Sequence, residues 1–154
     1  MSRRLVTSTA IASFSLLWLG AVASPSPAAA ELTLTAFQTP SGNITCLLGA
    51  YPTGSSAKPD TQFVRCDVNR TATRLPRRPA DCDFDWGAVL TLSPKGKAEF
   101  GACVSDAVGP GSVLAYGKSI RRGPFTCVSR TTGLTCTSTS RHGFSASRES
   151  VRTY

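Results

Sequence analysis

The stretch Phe125-Thr126-Cys127-Val128-Ser129-Arg130-Thr131-Thr132-Gly133-Leu134-Thr135-Cys136-Thr137 decides the fold. Successive residues of a strand point to opposite faces. Phe125 and Cys127 therefore share one face, and Leu134 and Cys136 share another. Folding the stretch back through Arg130-Thr131-Thr132-Gly133 sets Cys127 opposite Cys136. Thr126 and Thr137 then meet on the outer face. Gly133 supplies the left-handed backbone that such a loop often needs.

The same alternation runs through Ile44-Cys46-Leu48 and Val64-Cys66-Val68, on either side of a loop containing Pro52, Gly54 and Pro59. It pairs Cys46 with Cys66. Cys82 and Cys103 are left to each other by elimination. Six cysteines are an even set, and in an exported chain they read as three disulfides. A zinc site finds no support, because there is no C-x-x-C and His142 is the only histidine. Rings of this size contribute roughly 2.5–3 kcal/mol each in the chain-entropy account. Together they rival the whole stability of a small domain, about 5–15 kcal/mol. The reduced chain is expected to unfold.

Outward from these hairpins, short β-rich runs recur at 32–37, 43–48, 63–68, 88–92, 97–100, 112–116, 125–128, 134–137 and 143–147. Turn residues separate them, among them Pro40-Ser41-Gly42, Pro94-Lys95-Gly96, Gly109-Pro110-Gly111 and Gly123-Pro124. Leu90 and Leu92 face Ala98 and Phe100 across Pro94-Lys95-Gly96. No stretch carries a sustained helical apolar face. The expectation is an all-β, single-domain sandwich or barrel of about eight short antiparallel strands, stapled by disulfides.

The N-terminus reads as an export signal. Arg3 and Arg4 precede an uncharged apolar run at 5–23, then Ser24-Pro25-Ser26-Pro27 and Ala28-Ala29-Ala30. This predicts a cleavable signal peptide at 1–30 and one secreted β domain at 31–154. Thr7, Ser8, Thr9, Ser13 and Ser15 dilute the run, against a membrane anchor. Two arginines do not decide between general and twin-arginine export. The predicted location is outside the cell or on its envelope, with no membrane span after cleavage. A chain of 154 residues excludes a large multidomain enzyme.

The chain holds 17 Lys and Arg against 9 Asp and Glu, a net +8. The signal takes Arg3 and Arg4 and no acid, so the excess persists in the secreted part. Arg70, Arg74, Arg77 and Arg78 crowd a polar, proline-bearing stretch at 69–81 that reads as a long exposed loop. Arg77-Arg78 is a protease-sensitive pair. Lys118, Arg121, Arg122, Arg130, Arg141, Arg148 and Arg152 crowd the C-terminal part, where Glu149 is the lone acid. A basic patch of Arg70, Arg74, Arg77, Arg78, Arg121 and Arg122 is expected to draw anionic envelope polymers or headgroups. A secreted protein partner is the other expectation. Nucleic acid is not expected, given export and basic residues without interleaved aromatics.

The chemistry-bearing clusters are incomplete. His142, Ser147 and Arg148 suggest acid–base chemistry, but alternation sets His142 with Arg148 and away from Ser147. No nucleophile elbow is present. Asp81-Cys82-Asp83-Phe84-Asp85 begins like a calcium loop, yet Trp86 stands where that loop needs glycine. Asp85 with Glu99 or Asp106 would be a glycosidase pair only at the right separation. No catalytic residue, metal site or cofactor is assigned. His142, Ser147, Arg148, Asp85 and Trp86 are the candidate functional surface.

Six blocks carry a resemblance: Pro40-Ser41-Gly42-Asn43-Ile44-x-Cys46, Val64-Arg65-Cys66-Asp67, Cys82-x-x-Asp85-Trp86-Gly87, Leu114-Ala115-Tyr116-Gly117, Gly133-Leu134-Thr135-Cys136 and His142-Gly143-Phe144-x-x-Ser147-Arg148. In this order they resemble a family of small secreted proteins of actinobacteria, mycobacteria included, classed as a domain of unknown function. The resemblance covers about 37–148. Family members usually carry glycine where this chain has Arg141, and often where it has Thr45. The resemblance implies an exported, disulfide-bonded bacterial protein and no particular activity. The leading expectation is a non-enzymatic binding or envelope-associated module with a basic surface. The alternative is an inhibitor of a secreted hydrolase, and the third is a small hydrolase using His142 or the Asp85 region.

Overall fold

The computed structural model describes residues 33–50 and 62–154. The stretch read as an export signal, 1–30, and the loop carrying Pro52, Gly54 and Pro59 lie outside these residues. Six strands form a first sheet: β1 (Thr33–Gln38), β2 (Ile44–Ala50), β3 (Gln62–Val68), β4 (Asp85–Leu92), β5 (Glu99–Val104) and β6 (Ser112–Val113). Their order across the sheet is β5-β4-β3-β2-β1-β6. Five more form a second: β7 (Ser119–Arg122), β8 (Phe125–Arg130), β9 (Gly133–Ser138), β10 (Gly143–Ala146) and β11 (Val151–Thr153), in the order β11-β10-β9-β8-β7. The sheets stack with β10 against β4 and β11 against β5. Stacking buries the apolar face of each, so the architecture is a sandwich.

The core follows from the alternation. Ile44, Cys46 and Leu48 on β2 and Val64, Cys66 and Val68 on β3 point inward from the first sheet. Phe125 and Cys127 on β8, Leu134 and Cys136 on β9, and Phe144 on β10 point inward from the second. Cys46 stands directly opposite Cys66, and Cys127 directly opposite Cys136. Both pairs are disulfides, with Cα atoms 4.1 Å and 4.0 Å apart, and all four cysteines are fully buried. Each inner face thus carries one cross-strand staple in the middle of the core. The third disulfide joins Cys82, in the loop before β4, to Cys103 on β5.

The described residues form eleven strands rather than about eight, and not every pairing is antiparallel. β6 runs parallel to β1, with Phe37 beside Ser112. β7 and β11 escape the alternation test because each is an edge strand with one apolar residue, Ile120 or Val151. β6 is two residues long where the sequence suggested five, and β5 begins at Glu99 and extends to Val104. β4 begins earlier than expected, at Asp85, because it is bulged. Gly87 faces Ala102 but Leu90 faces Phe100, so Ala88 and Val89 together oppose Gly101. Past the bulge Leu90 faces the core beside Cys66, and Val89 is buried on the other face of the sheet beside Asp67. Gly101, at φ +89°, turns away beneath the bulge.

Candidate functional site

One end of the sandwich gathers turns from both sheets around a cleft of about 190 Å³. The β1–β2 turn contributes Thr39, Ser41 and Asn43. The β8–β9 turn contributes Arg130, Thr131 and Thr132, and the β10–β11 turn contributes Ser147, Arg148 and Glu149. Tyr116, from the crossing between the sheets, completes the wall. A second cleft adjoins it, sharing Arg130, Thr132, Gly133 and Ser147 and adding Arg152. The lining is rich in hydroxyl and guanidinium groups.

Hydrogen bonds fix each wall. The Asn43 side chain pairs with the Arg70 backbone in both directions, accepting from its N–H and donating to its carbonyl, each at 3.1 Å. Asn69 donates to the Gly42 carbonyl at 2.9 Å. The crossing that carries Tyr116 is tied to β8, since Gly117 N–H donates to the Ser129 carbonyl and Ser129 N–H to that of Lys118. In the β10–β11 turn, Ser147 Oγ accepts from the N–H groups of Glu149 and Ser150, both at 3.1 Å, and donates to Glu149 Oε2 at 2.7 Å. The arginine loop closes the arrangement. Ala72 N–H donates to the Arg148 carbonyl at 2.7 Å, and Thr73 Oγ1 accepts from Val151 N–H at 2.7 Å. Gly133 also has no substitute here, because a Cβ on it would stand 2.3 Å from the Ala146 carbonyl oxygen.

The charges of the cleft are asymmetric. Among the described residues the one ion pair is Arg65 with Asp67, 2.9 Å apart. Neither the Arg130 nor the Arg148 guanidinium donates a hydrogen bond there. Glu149 is the only acid in the lining, and its carboxyl is held below the usual range, first by the Ser147 hydroxyl, then by its own backbone N–H and by Arg148. Its carboxylate is therefore turned back onto its own turn.

The candidate residues fall in separate places. His142 lies in the β9–β10 turn, where its carbonyl accepts from Ser138 N–H at 2.8 Å. Ser147 and Arg148 lie past the other end of β10. Five residues of strand span about 16 Å, so the histidine and the serine do not form a pair. The basic residues are divided likewise. Arg70 borders the cleft through Asn43, whereas Arg121 and Arg122 pair with Thr126 and Phe125 at the far end of β8 from Arg130. Arg74, Arg77 and Arg78 are exposed along the connecting loop. The six arginines proposed as one patch do not form one. The cleft instead recruits Arg130, Asn43 and Tyr116, which alternation does not mark because they sit in or beside turns.

Asp85 begins β4 opposite Val104 and is exposed. Glu99 opens β5 at its other end, opposite Thr91, about 16 Å away along the strand. That exceeds the separation of glycosidase carboxylates. Asp85 shares a shallow hollow with Asp67 and Asp106. The Asp67 carboxylate is already taken by Arg65, at 2.9 and 3.1 Å, and by Val108 N–H, at 2.8 Å. Among the described residues no three His, Cys, Asp or Glu side chains come together as metal ligands would. Trp86 has a structural task. Its ring lies over Gly101, and its indole N–H donates to the Pro76 carbonyl at 2.9 Å, pinning the arginine loop.

The family comparison agrees with the resemblance and widens its reach. The chain belongs to a family of unknown function, DUF6636, whose model matches residues 15–153. No curated protein and no solved structure matches the chain.

Proposed function

We propose that this protein is a non-enzymatic binding module of the cell exterior, and that its end cleft takes the anionic groups of an envelope polymer. The observation that carries the reading is the pair Arg130 and Arg148, which line one fixed cleft and whose guanidiniums make no hydrogen bond or ion pair among the described residues. A planar guanidinium suits phosphate or carboxylate, each of which accepts two parallel hydrogen bonds. The surrounding hydroxyls and Asn43 suit a polyhydroxylated chain. Because the walls are already hydrogen-bonded, little ordering is lost on binding. Three disulfides are typical of extracellular proteins, which is consistent with such a location. A binding role is favoured over catalysis because the Ser147 hydroxyl is engaged in its own turn and His142 is remote from it.

The test is co-sedimentation of the oxidised secreted domain with isolated envelope across a salt series. At an anionic surface each arginine contributes about 1 kcal/mol. Arg130→Ala with Arg148→Ala should therefore weaken retention about 30-fold at low salt, while the wild type is released as salt rises. Equal retention of wild type and double variant would overturn the reading.

A further inference from the structure

Past its ties to the cleft at Arg70, Ala72 and Thr73, the arginine loop shows a second feature. Residues 74–79 run without a turn or bend. Pro76 and Pro79 each drive the residue before them, Leu75 and Arg78, toward extended backbone. The segment is clamped on both sides of one peptide bond. On one side, the Pro76 carbonyl accepts from the Trp86 indole at 2.9 Å, and that ring and Pro76 both close over Gly101. On the other, the Arg78 guanidinium reaches back to the carbonyls of Cys82 and Phe84, at 2.6 and 2.9 Å. Cys82 is in turn bonded to Cys103 on β5. Between the clamps stands Arg77, exposed and without a hydrogen bond or ion pair among the described residues.

An extended, exposed backbone with one outward cation is the shape that a serine protease with an acidic primary pocket accepts. We propose that residues 74–79 form a substrate-like loop for such a protease, with Arg77 entering the pocket, and that the protein is its inhibitor. A flexible loop of this sequence would be cut. Here the clamps change the outcome. The protease serine Oγ adds to the Arg77 carbonyl carbon and its proton passes to the Arg78 nitrogen. The Arg77–Arg78 C–N bond breaks, leaving an ester on Arg77 and an amine on Arg78. That amine is held in place by the Arg78 contacts, so it re-adds to the ester, restores the peptide bond and returns the proton to the serine. Water competes poorly with an amine that does not leave. Pro79 restricts attack to the Arg77–Arg78 bond, because the Arg78–Pro79 bond has no N–H on its leaving side.

No disulfide spans the Arg77–Arg78 bond, since Cys46–Cys66 lies before it and the other two lie after it. The ends are held by the first sheet, where β3 before the bond pairs with β4 after it, and β1 with β6. Cleavage is therefore visible as two fragments on a denaturing gel without reductant.

The experiment titrates trypsin, as the probe protease, with the oxidised secreted domain. The expected result is stoichiometric loss of trypsin activity with little fragment formed. Arg77→Lys should retain inhibition, and Arg77→Ala should weaken it by about 100-fold or more. Trp86→Phe keeps the ring and removes the donor, and should turn the inhibitor into a substrate that yields the two fragments faster. Circular dichroism establishes that each variant is folded. Rapid cleavage of the folded wild type without inhibition would overturn the proposal. So would absence of inhibition at micromolar protein, or equal inhibition by Arg77→Ala. The Arg130 and Arg148 side chains make no hydrogen bond or ion pair with residues 74–79, so envelope binding stands or falls separately.

Discussion

Replacing each disulfide by an alanine pair separates ring size from burial. The three rings follow one another along the chain without overlap, so their effects on the unfolded state are independent. The bonded cysteines are 20, 21 and 9 positions apart for Cys46–Cys66, Cys82–Cys103 and Cys127–Cys136. Chain entropy alone assigns them about 3.3, about 3.3 and about 2.6 kcal/mol. By that measure the short ring matters least. Burial reverses the order of the last two. Cys127 and Cys136 lie in the core between the sheets, and so do Cys46 and Cys66, while Cys82 and Cys103 lie outside it. Removing a core sulfur leaves a gap of about methyl size, at about 1 kcal/mol each.

The expected losses are therefore about 5 kcal/mol for Cys46→Ala with Cys66→Ala, about 4.5 for Cys127→Ala with Cys136→Ala, and about 3.3 for Cys82→Ala with Cys103→Ala. Urea unfolding of the oxidised protein, residues 31–154, and of the three variants measures them, with each slope fitted separately because losing a cross-link expands the unfolded chain. If the Cys127/Cys136 variant proved more stable than the Cys82/Cys103 variant, the core staples would act through ring closure alone and the argument from burial would be wrong.

Arg141 is the one described residue other than glycine with positive φ, at 67°. Arg141→Gly should stabilise the β9–β10 turn by about 1 kcal/mol, read as a rise in melting temperature of a few degrees. Gly101→Ala should cost about 2–3 kcal/mol, because φ is +89° and the new Cβ would stand 2.6 Å from the Trp86 ring. Trp86 is the only tryptophan in 31–154, so a red shift of emission reports its displacement. Glu149 titrates below its ordinary value of 4.5. Its contribution is thus fully present above that value and is lost as pH falls through the folded one. The melting difference between wild type and Glu149→Gln should be constant near neutrality and shrink toward acid, and a difference that grew toward acid would contradict the assigned direction.

What the sequence made legible is what a period of two can carry. Cys127 opposite Cys136, with Thr126 opposite Thr137, follows from alternation plus a short turn, because a slip of one residue would turn every side chain to the wrong face. Leu90 opposite Phe100 follows for the same reason. The bulge between Gly87 and Leu90 breaks that period and left the start of β4 unseen. β6 beside β1 joins segments far apart in the chain with no local turn to announce it. The cleft was least legible, since Asn43, Tyr116 and Arg130 meet only when both sheets are stacked. Arg121 and Arg122 looked like partners of Arg70 because charge was counted along the chain, and strand direction places them at the opposite end.

The position of the staples bears on why both proposed surfaces are possible on so small a domain. One disulfide joins directly opposed strands at the centre of each inner face, so each sheet is cross-linked at its middle rather than at its ends. Turns at the ends then need not hold neighbouring strands together by apolar contact. They are free to be polar, as the cleft turns are, with their backbones satisfied by Asn43, Asn69, Ser147 and Thr73 instead of by packing. The third disulfide does different work. It lies outside the core and braces the carbonyl to which Arg78 donates, so its effect falls on the presentation of Arg77 more than on the fold. Loss of Cys82–Cys103 should therefore abolish protease inhibition in a protein that still folds and still binds envelope, a dissociation that neither core staple can produce.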